Sequence, residues 1–200
     1  MTSLRERKKA ETRQRIADHG TLMFMTRGFD NVTIAEIAEA AGVSKVTVFN
    51  YFPRKEDIFF DRAPQAEELL TAAVRDREPG ESPLRAIRRL LIDLAEERHP
   101  LGGFRDNFPV FWQTVINSPA LVARAREAVD ELQTTLTAII ATTSDDPTPE
   151  LTAAIAFGII RATYPFGIRR MLAGADADTV TAEYLAALNV AFDRVADGMS

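Results

Sequence analysis

Residues 33–59 read TIAEIAEAAGVSKVTVFNYFPRKEDIF, and the spacing within this stretch decides the fold. A steep crossing of two helices through a very short turn needs a small residue where the helices touch. It also needs a turn residue that tolerates positive φ. Ala38 and Gly42, four residues apart, meet these two needs. The stretch therefore predicts a helix-turn-helix, a motif whose second helix typically enters the major groove of double-stranded DNA.

Both helices of this motif carry capping signals. Thr33 with Glu36 three residues later forms a capping box, and Ser44 would cap the second helix. We therefore expect helices from Ile34 to Ala41 and from Ser44 to about Tyr51. Apolar side chains back both helices, as packing against a third helix requires: Ile34, Ile37, Val43 and Val48.

Apolar residues recur at helical spacing along the rest of the chain, and strand signals are scarce. Loops are indicated by glycine and proline in Glu78–Pro83 and His99–Gly103, and Asn107 is the expected N-cap of an aromatic helix. The pattern predicts an all-α protein of about nine helices, with a small N-terminal bundle (1–54) and a larger C-terminal one (55–200). The predicted helices are 6–26, 34–41, 44–51, 55–77, 83–98, 108–117, 119–143, 150–172 and 179–196.

The composition, 46% hydrophobic and 26% charged, is typical of a soluble globular protein. There is no cysteine, which excludes disulfides, thiolate zinc sites and cysteine nucleophiles. No apolar run approaches the roughly 20 residues of a membrane span, and the basic N-terminus lacks the apolar core of a signal peptide. We expect a cytoplasmic protein without a membrane partner.

The net charge of −5 is unevenly distributed. Residues 1–62 hold eleven basic and nine acidic side chains, a net +2, which leaves −7 for the remainder. All the lysines lie in the first part. The asymmetry favours an N-terminal module that faces a polyanion, carried on an acidic body; chance scatter of charge is the alternative.

The quoted stretch resembles the DNA-binding region of the TetR (tetracycline repressor) family of bacterial transcriptional regulators. The preceding helix, with its Arg27–Phe29 ending, and the chain length are also similar. The resemblance implies a one-component regulator, usually a repressor, which binds a pseudo-palindromic operator as a homodimer and is released by a small, largely apolar effector. Ligand-promoted binding or activation is the alternative. Residues 1–54 would bind DNA, and residues 55–200 would bind the effector and dimerise.

One position departs from the family pattern. His19-Gly20 stands where the family usually has two small alanines. Gly20 should weaken the first helix by about 1 kcal/mol relative to alanine.

The resemblance also implies roles for residues of the helix-turn-helix. Asn50 could bond an adenine and Val46 could meet a thymine methyl group in the major groove. A basic arm, Arg5–Arg15, could add further contacts. The residues expected to face base edges are Lys45, Val46, Phe49 and Asn50, and those expected to hold phosphates are Thr33, Ser44, Thr47, Tyr51 and Lys55.

An effector site is expected where aromatic residues concentrate. Arg161 would be costly on an apolar helix face unless it is paired. Its partner would be a carboxylate, such as Asp93 or Glu97, or an anionic ligand, and Pro165 should kink the same helix. Packing of these aromatic residues in the core, without a pocket, is the alternative. The candidate ligand-binding residues are Phe104, Phe108, Phe111, Trp112, Gln113, Phe157, Arg161, Tyr164 and Ile168.

The last two helices are the expected dimer interface, as a four-helix bundle with two-fold symmetry. An intramolecular core is the alternative. The candidate interface residues are Leu151, Ile155, Gly158 and Ala162 on one helix and Val180, Tyr184, Leu188 and Phe192 on the other.

Rival functions find little support in the residues. An enzyme would need a nucleophile, an acid–base pair or a metal cluster, and the two histidines, His19 and His99, lie far apart. We expect no catalytic residue, metal or cofactor. A DNA-coating protein would be basic overall, and a helical ligand-binding bundle without DNA function would have no need of Lys45, Tyr51 and Lys55.

Overall fold

A computed structural model describes residues 3–106 and 108–198 of the chain. Within these residues the protein has ten α-helices, one short 3-10 helix and no strand, so the predicted all-α fold is confirmed. The helices are α1 (Leu4–Arg27), the 3-10 helix (Phe29–Asn31), α2 (Ile34–Ala40), α3 (Lys45–Tyr51), α4 (Lys55–Phe59), α5 (Ala63–Arg75), α6 (Pro83–Glu96), α7 (Phe108–Ile116), α8 (Pro119–Thr143), α9 (Pro149–Leu172) and α10 (Ala177–Gly198).

The predicted helix 55–77 is wrong in one respect, because it is divided into α4 and α5. Pro64 has no N–H to continue a helix that comes from Phe60, and its ring would clash with the carbonyl of that residue. The chain instead begins a new helix, in which Pro64 occupies the first turn. The expected N-cap, Asn107, lies outside the described residues.

The packing divides the chain into two units, each described by itself. One unit extends to Asp61 and includes Gln113–Ala125, and the other comprises Arg62–Trp112 and the chain from Arg126 onward. The division therefore falls after α4, whereas the sequence suggested residue 54, and it also assigns the start of α8 to the N-terminal unit.

The core of the N-terminal unit is formed by α1, the helix-turn-helix and α4. Phe24 packs its ring 4.8 Å from that of Phe29 and 6.0 Å from that of Phe59, measured between centroids. Gly20 is buried, and a Cβ atom there would lie 2.5 Å from Cγ2 of Ile58. The glycine that departs from the family pattern therefore allows α4 to approach α1 closely.

The segment Gln113–Ala125 is tied to this unit by polar contacts as well as by burial. The Ser118 hydroxyl donates to Asp30 at 3.3 Å, and the Arg124 guanidinium donates to Asp57 at 2.8 Å. The Arg124 and Asp57 side chains are only 12% and 23% exposed. Leu121 is fully buried.

The C-terminal unit has two apolar cores, and α9 contributes to both. By length and composition α9 could cross a membrane, with 24 residues and a mean hydropathy of 1.4 in its most apolar window. This qualifies the expectation that no segment approaches membrane length. Of that window, 44% is buried, as expected for a central helix packed against α10 and α6.

Candidate functional site

The turn of the helix-turn-helix has the geometry that its sequence predicts. Gly42 has φ of +63°, and its N–H donates to the Glu39 carbonyl at 3.0 Å. The Val43 N–H donates to the carbonyl of Ala38 at 2.9 Å. A Cβ atom at Gly42 would meet nothing within 4 Å, so backbone conformation rather than space favours glycine here.

The predicted capping box at the start of α2 is confirmed, and it extends to α1. The Thr33 hydroxyl accepts from the Glu36 N–H at 3.3 Å, and the Glu36 carboxylate accepts from the Thr33 N–H at 2.8 Å. Arg27 also donates to this carboxylate at 2.6 Å. The hydrogen bond from Arg27, then that from the Thr33 backbone, lowers the pKa of Glu36 to about 2.

The exposed face of α3 presents the four residues that were expected to face base edges. Val46 is 68% exposed and Phe49 is 49% exposed, which is unusual for apolar side chains without a partner. Lys45 and Asn50 are also exposed, whereas Val48 on the opposite face is fully buried. The helix is thus held by one face and offers mixed apolar and polar groups on the other.

The residues expected to hold phosphates differ in how exposed they are and in whether their hydroxyls already make hydrogen bonds. Ser44 is exposed, and its hydroxyl accepts from the Thr47 N–H at 3.0 Å as the N-cap of α3. Thr33 is exposed, whereas Thr47 and Tyr51 are half-buried. The capping hydroxyls are therefore already oriented by the local backbone.

Lys55 makes contacts inside the unit that the sequence did not indicate. Its ammonium lies 4.1 Å from the centroid of the Phe29 ring and 5.7 Å from that of Phe24, as cation–π contacts. Burial lowers the pKa of Lys55, against the opposing effect of nearby carboxylates that include Asp30. Lys55 therefore helps to hold α4 on the aromatic core.

Two of the six basic side chains of the expected arm are used inside the unit. Arg13 donates to the Asp61 carbonyl at 2.7 Å and lies over the Phe52 ring, and Arg15 donates to the Ala41 carbonyl at 2.9 Å. The basic side chains that remain exposed at the start of α1 are Arg5, Arg7, Lys8 and Lys9.

In the C-terminal unit, several candidate effector-site residues come together. The Phe104 ring is fully buried, with centroid distances of 5.1 Å to Phe108 and 5.5 Å to Tyr164. Trp112 lies 6.0 Å from Phe108 and 6.2 Å from Tyr164. Ile168 belongs to the same core, and the Phe111 ring lies 5.6 Å from that of Trp112.

Three candidates lie elsewhere. Phe157 belongs to the second apolar core. Arg161 pairs with Asp130 at 2.7 Å and Gln133 at 2.8 Å, and its side chain is 45% exposed. Its partner is thus a residue of α8, and neither Asp93 nor Glu97. Gln113 is exposed, belongs to the N-terminal unit and donates to Asn117.

Sequence reasoning missed one residue of this aromatic cluster and one cation that follows Phe104 in the chain. Tyr184, expected at a dimer interface, packs its ring 5.3 Å from that of Phe104 and 5.9 Å from that of Tyr164. Arg105 has a buried Nε atom without a hydrogen-bond partner in the part of the chain that the structure describes. A cation directly after Phe104 in an aromatic segment was the available signal.

The four residues of α10 that were expected at a dimer interface lie in the core of the single chain. Their side chains are at most 3% exposed, because they hold α10 to its neighbours: Val180, Tyr184, Leu188 and Phe192. The α9 stripe is different. Leu151 is 54% exposed, Ile155 is partly exposed, and Gly158 and Ala162 are exposed.

Comparisons with known proteins agree with this geometry. The family described as bacterial regulatory proteins, tetR family, matches residues 16–61. The HTH-type transcriptional regulator TcmR of Streptomyces glaucescens is 28% identical over 98% of this chain and 86% of its own. The HTH-type transcriptional regulator AcrR of Shigella flexneri is 33% identical over 43% of this chain and 41% of its own.

The fold is also found in solved structures. That of native NalD, described as the secondary repressor of the MexAB-OprM multidrug efflux pump in Pseudomonas aeruginosa, superposes with a TM-score of 0.57 at 18% identity. The match covers 91% of this chain and 97% of NalD. With its helix-turn-helix matched by the tetR family model over residues 16–61 and its similarity to TcmR along nearly its whole length, the chain resembles the TetR family of bacterial transcriptional regulators.

Proposed function

We propose that the protein is a cytoplasmic repressor that binds a pseudo-palindromic operator as a homodimer and releases it when a small, largely apolar effector binds the C-terminal unit. The observation that carries this proposal is the exposed face of α3, where Val46 and Phe49 lie unprotected beside Lys45 and Asn50. Exposing two large apolar side chains on one short helix is costly unless a partner covers them.

The chemistry of these four residues suits base edges. Asn50 can make a bidentate contact with adenine, and Val46 can pack on a thymine methyl group. Phosphate contacts fix the register without reading sequence. We assign them to Thr33, Ser44, Thr47, Tyr51 and Lys55, with the exposed basic start of α1 as a further electrostatic contribution.

The exposed stripe of α9 supports dimerisation through this helix. Leu151 and Phe166 are 54% and 39% exposed, and between them Gly158 has open space around the position of a Cβ atom. On α10 the exposed apolar side chain is Val190, at 52%. Small residues between larger apolar ones permit a second helix to approach closely, so a second copy of the chain is the occupant that we propose.

Effector binding would lower operator affinity only by its differential affinity for the DNA-bound and released states. An effector that instead raises operator affinity would indicate ligand-promoted binding. Compounds should therefore be screened for a change of operator affinity in either direction.

The test begins with in vitro selection of bound DNA, followed by titration of the selected site with variants. Asn50→Ala and Val46→Ala should each weaken binding by about tenfold or more, since a good base contact contributes about 1–3 kcal/mol. Leu22→Ala is the matched control, because Leu22 is 62% exposed on α1. Equal affinities for all three variants and the parent protein would contradict the proposal.

A further inference from the structure

Arg105 has a buried hydrogen-bond donor without an acceptor among the described residues. Its Nε atom is buried and has no hydrogen-bond partner among the described residues, and no carboxylate pairs with its guanidinium within them. Guanidinium stays charged at all ordinary pH values, and leaving a buried donor unpaired is costly. By contrast, Arg161 and Arg170 of the same unit pair with Asp130 and Glu183.

In the chain, Arg105 lies directly after one ring of the aromatic cluster and three residues before another. The preceding ring, Phe104, is fully buried, and the following helix begins with Phe108, whose N–H donates to the Arg105 carbonyl at 2.9 Å. The positive charge of Arg105 also acts on the pKa of Tyr164. Its positive field favours the phenolate form, although burial has the larger effect and raises the pKa of Tyr164.

The two tyrosines of the cluster have different polar neighbours. The Thr163 side chain acts on Tyr184 and opposes the rise of its pKa that burial causes. The Tyr164 hydroxyl has no hydrogen-bond partner in the described part of the chain. Among the described residues, the Arg105 Nε atom and the Tyr164 hydroxyl thus both have no hydrogen-bond partner.

The floor of this cluster is formed by the backbone of α9. A Cβ atom at Gly167 would lie 2.2 Å from Cζ of Phe104, so only glycine lets this ring rest on the helix. The Phe104 ring itself occupies this position and is fully buried, so the aromatic cluster is anchored on α9.

These features define the chemistry of a ligand. A guanidinium pairs best with a planar two-oxygen anion, and rings favour an aromatic body. A dianion, such as a phosphate monoester, would leave one charge unbalanced beside a single cation in an apolar place. We propose that Arg105 anchors the carboxylate of an aromatic monocarboxylic acid, whose ring lies against the partly exposed rings of Trp112 and Tyr164. This inference rests on the proposed effector role of the C-terminal unit.

Trp112 is the one tryptophan of the chain, and its fluorescence reports binding without DNA. The full chain is titrated with benzoate, naphthoate and anthracene carboxylate, each beside its uncharged carboxamide. We expect at least one acid to bind about tenfold more tightly than its amide, because a charge-assisted contact would be lost. Failure of every acid to bind, or equal binding of acids and amides, would overturn the proposal.

The variants assign this preference to Arg105. Arg105→Gln should remove the difference between acid and amide, and Arg105→Lys, which keeps the charge but not the fork of donors, should reduce it. The matched control is Arg161→Gln, since Arg161 already pairs with Asp130. Circular dichroism checks that each variant is folded. An acid preference that persists in folded Arg105→Gln would refute the assignment.

Operator release is then measured separately. If an acid binds through Arg105 but does not release DNA, the anion site stands and the acid is not an effector of the proposed repressor. If only uncharged compounds bind and release DNA, the proposed function stands and the anion site is wrong.

Discussion

At Gly20, helix propensity and packing oppose each other. Alanine would add about 1 kcal/mol of helix propensity to α1. Its Cβ atom would, however, lie 2.5 Å from Cγ2 of the fully buried Ile58, close to a branch point that cannot rotate away freely. Overpacking of this kind typically costs about 1–3 kcal/mol.

We therefore expect Gly20→Ala to lower the free energy of unfolding by about 1 kcal/mol, the opposite of the propensity argument alone. Urea unfolding followed by circular dichroism measures it. In the background of Ile58→Ala, which removes the clashing methyl group, the same substitution should stabilise the protein. A stabilised Gly20→Ala single variant would show that α4 moves aside at little cost.

The two tyrosines of the aromatic cluster predict a loss of stability at alkaline pH. Burial raises the pKa of Tyr184 to about 12 and raises that of Tyr164 as well. An unfolded tyrosine ionises near pH 10, so the unfolded chain loses its protons first. The stability that depends on these neutral phenols is complete below about pH 10 and is lost as the pH rises towards 12.

The measurement is the ultraviolet absorbance of phenolate at about pH 11, in the native protein and in denaturant. Tyr164 and Tyr184 should stay un-ionised in the folded protein and ionise on unfolding. Full ionisation of all tyrosines at this pH, with the helical circular dichroism intact, would contradict the expected burial.

At the scale of elements, local signals were predictable and long-range ones were not. The helix-turn-helix depends on neighbours in the sequence, so Thr33 and Gly42 were sufficient to predict its cap and turn. The stripe on α10 has the same periodicity whether it faces its own chain or another, and only the packed structure assigns Tyr184 to the core. The partner of Arg161 likewise depends on how α8 and α9 pack.

The ion pair between α4 and α8 is the next element-scale feature to test. Because Arg124 and Asp57 are largely buried, removing one partner leaves a charge uncompensated. We expect Arg124→Leu to cost about 2–4 kcal/mol in the free energy of unfolding, measured with urea. Arg126→Leu, at an exposed position of the same helix, is the control. Similar stabilities for the two variants would mean that solvent already screens the pair.

At the scale of the whole molecule, the proposed binding of the operator requires both the exposed stripe of α9, for dimerisation, and the exposed face of α3, for contact with DNA. Two copies of α3 read two half-sites of an operator only when a dimer holds them together. A single recognition helix of seven residues makes too few contacts to select a site alone. Dimerisation and operator affinity should therefore fail together.

Ala162→Arg tests this link, because it introduces a bulky charge into the middle of the α9 stripe while Ala162 itself is exposed in the single chain. We expect the parent protein to sediment as a dimer at micromolar concentration and the variant as a monomer, with operator affinity reduced by about a hundredfold or more. Ala141→Arg, at an exposed position of α8, is the control for added charge. Retention of both the dimer and the operator affinity by Ala162→Arg would place the interface on another surface, and a monomeric variant with full affinity would separate DNA recognition from dimerisation.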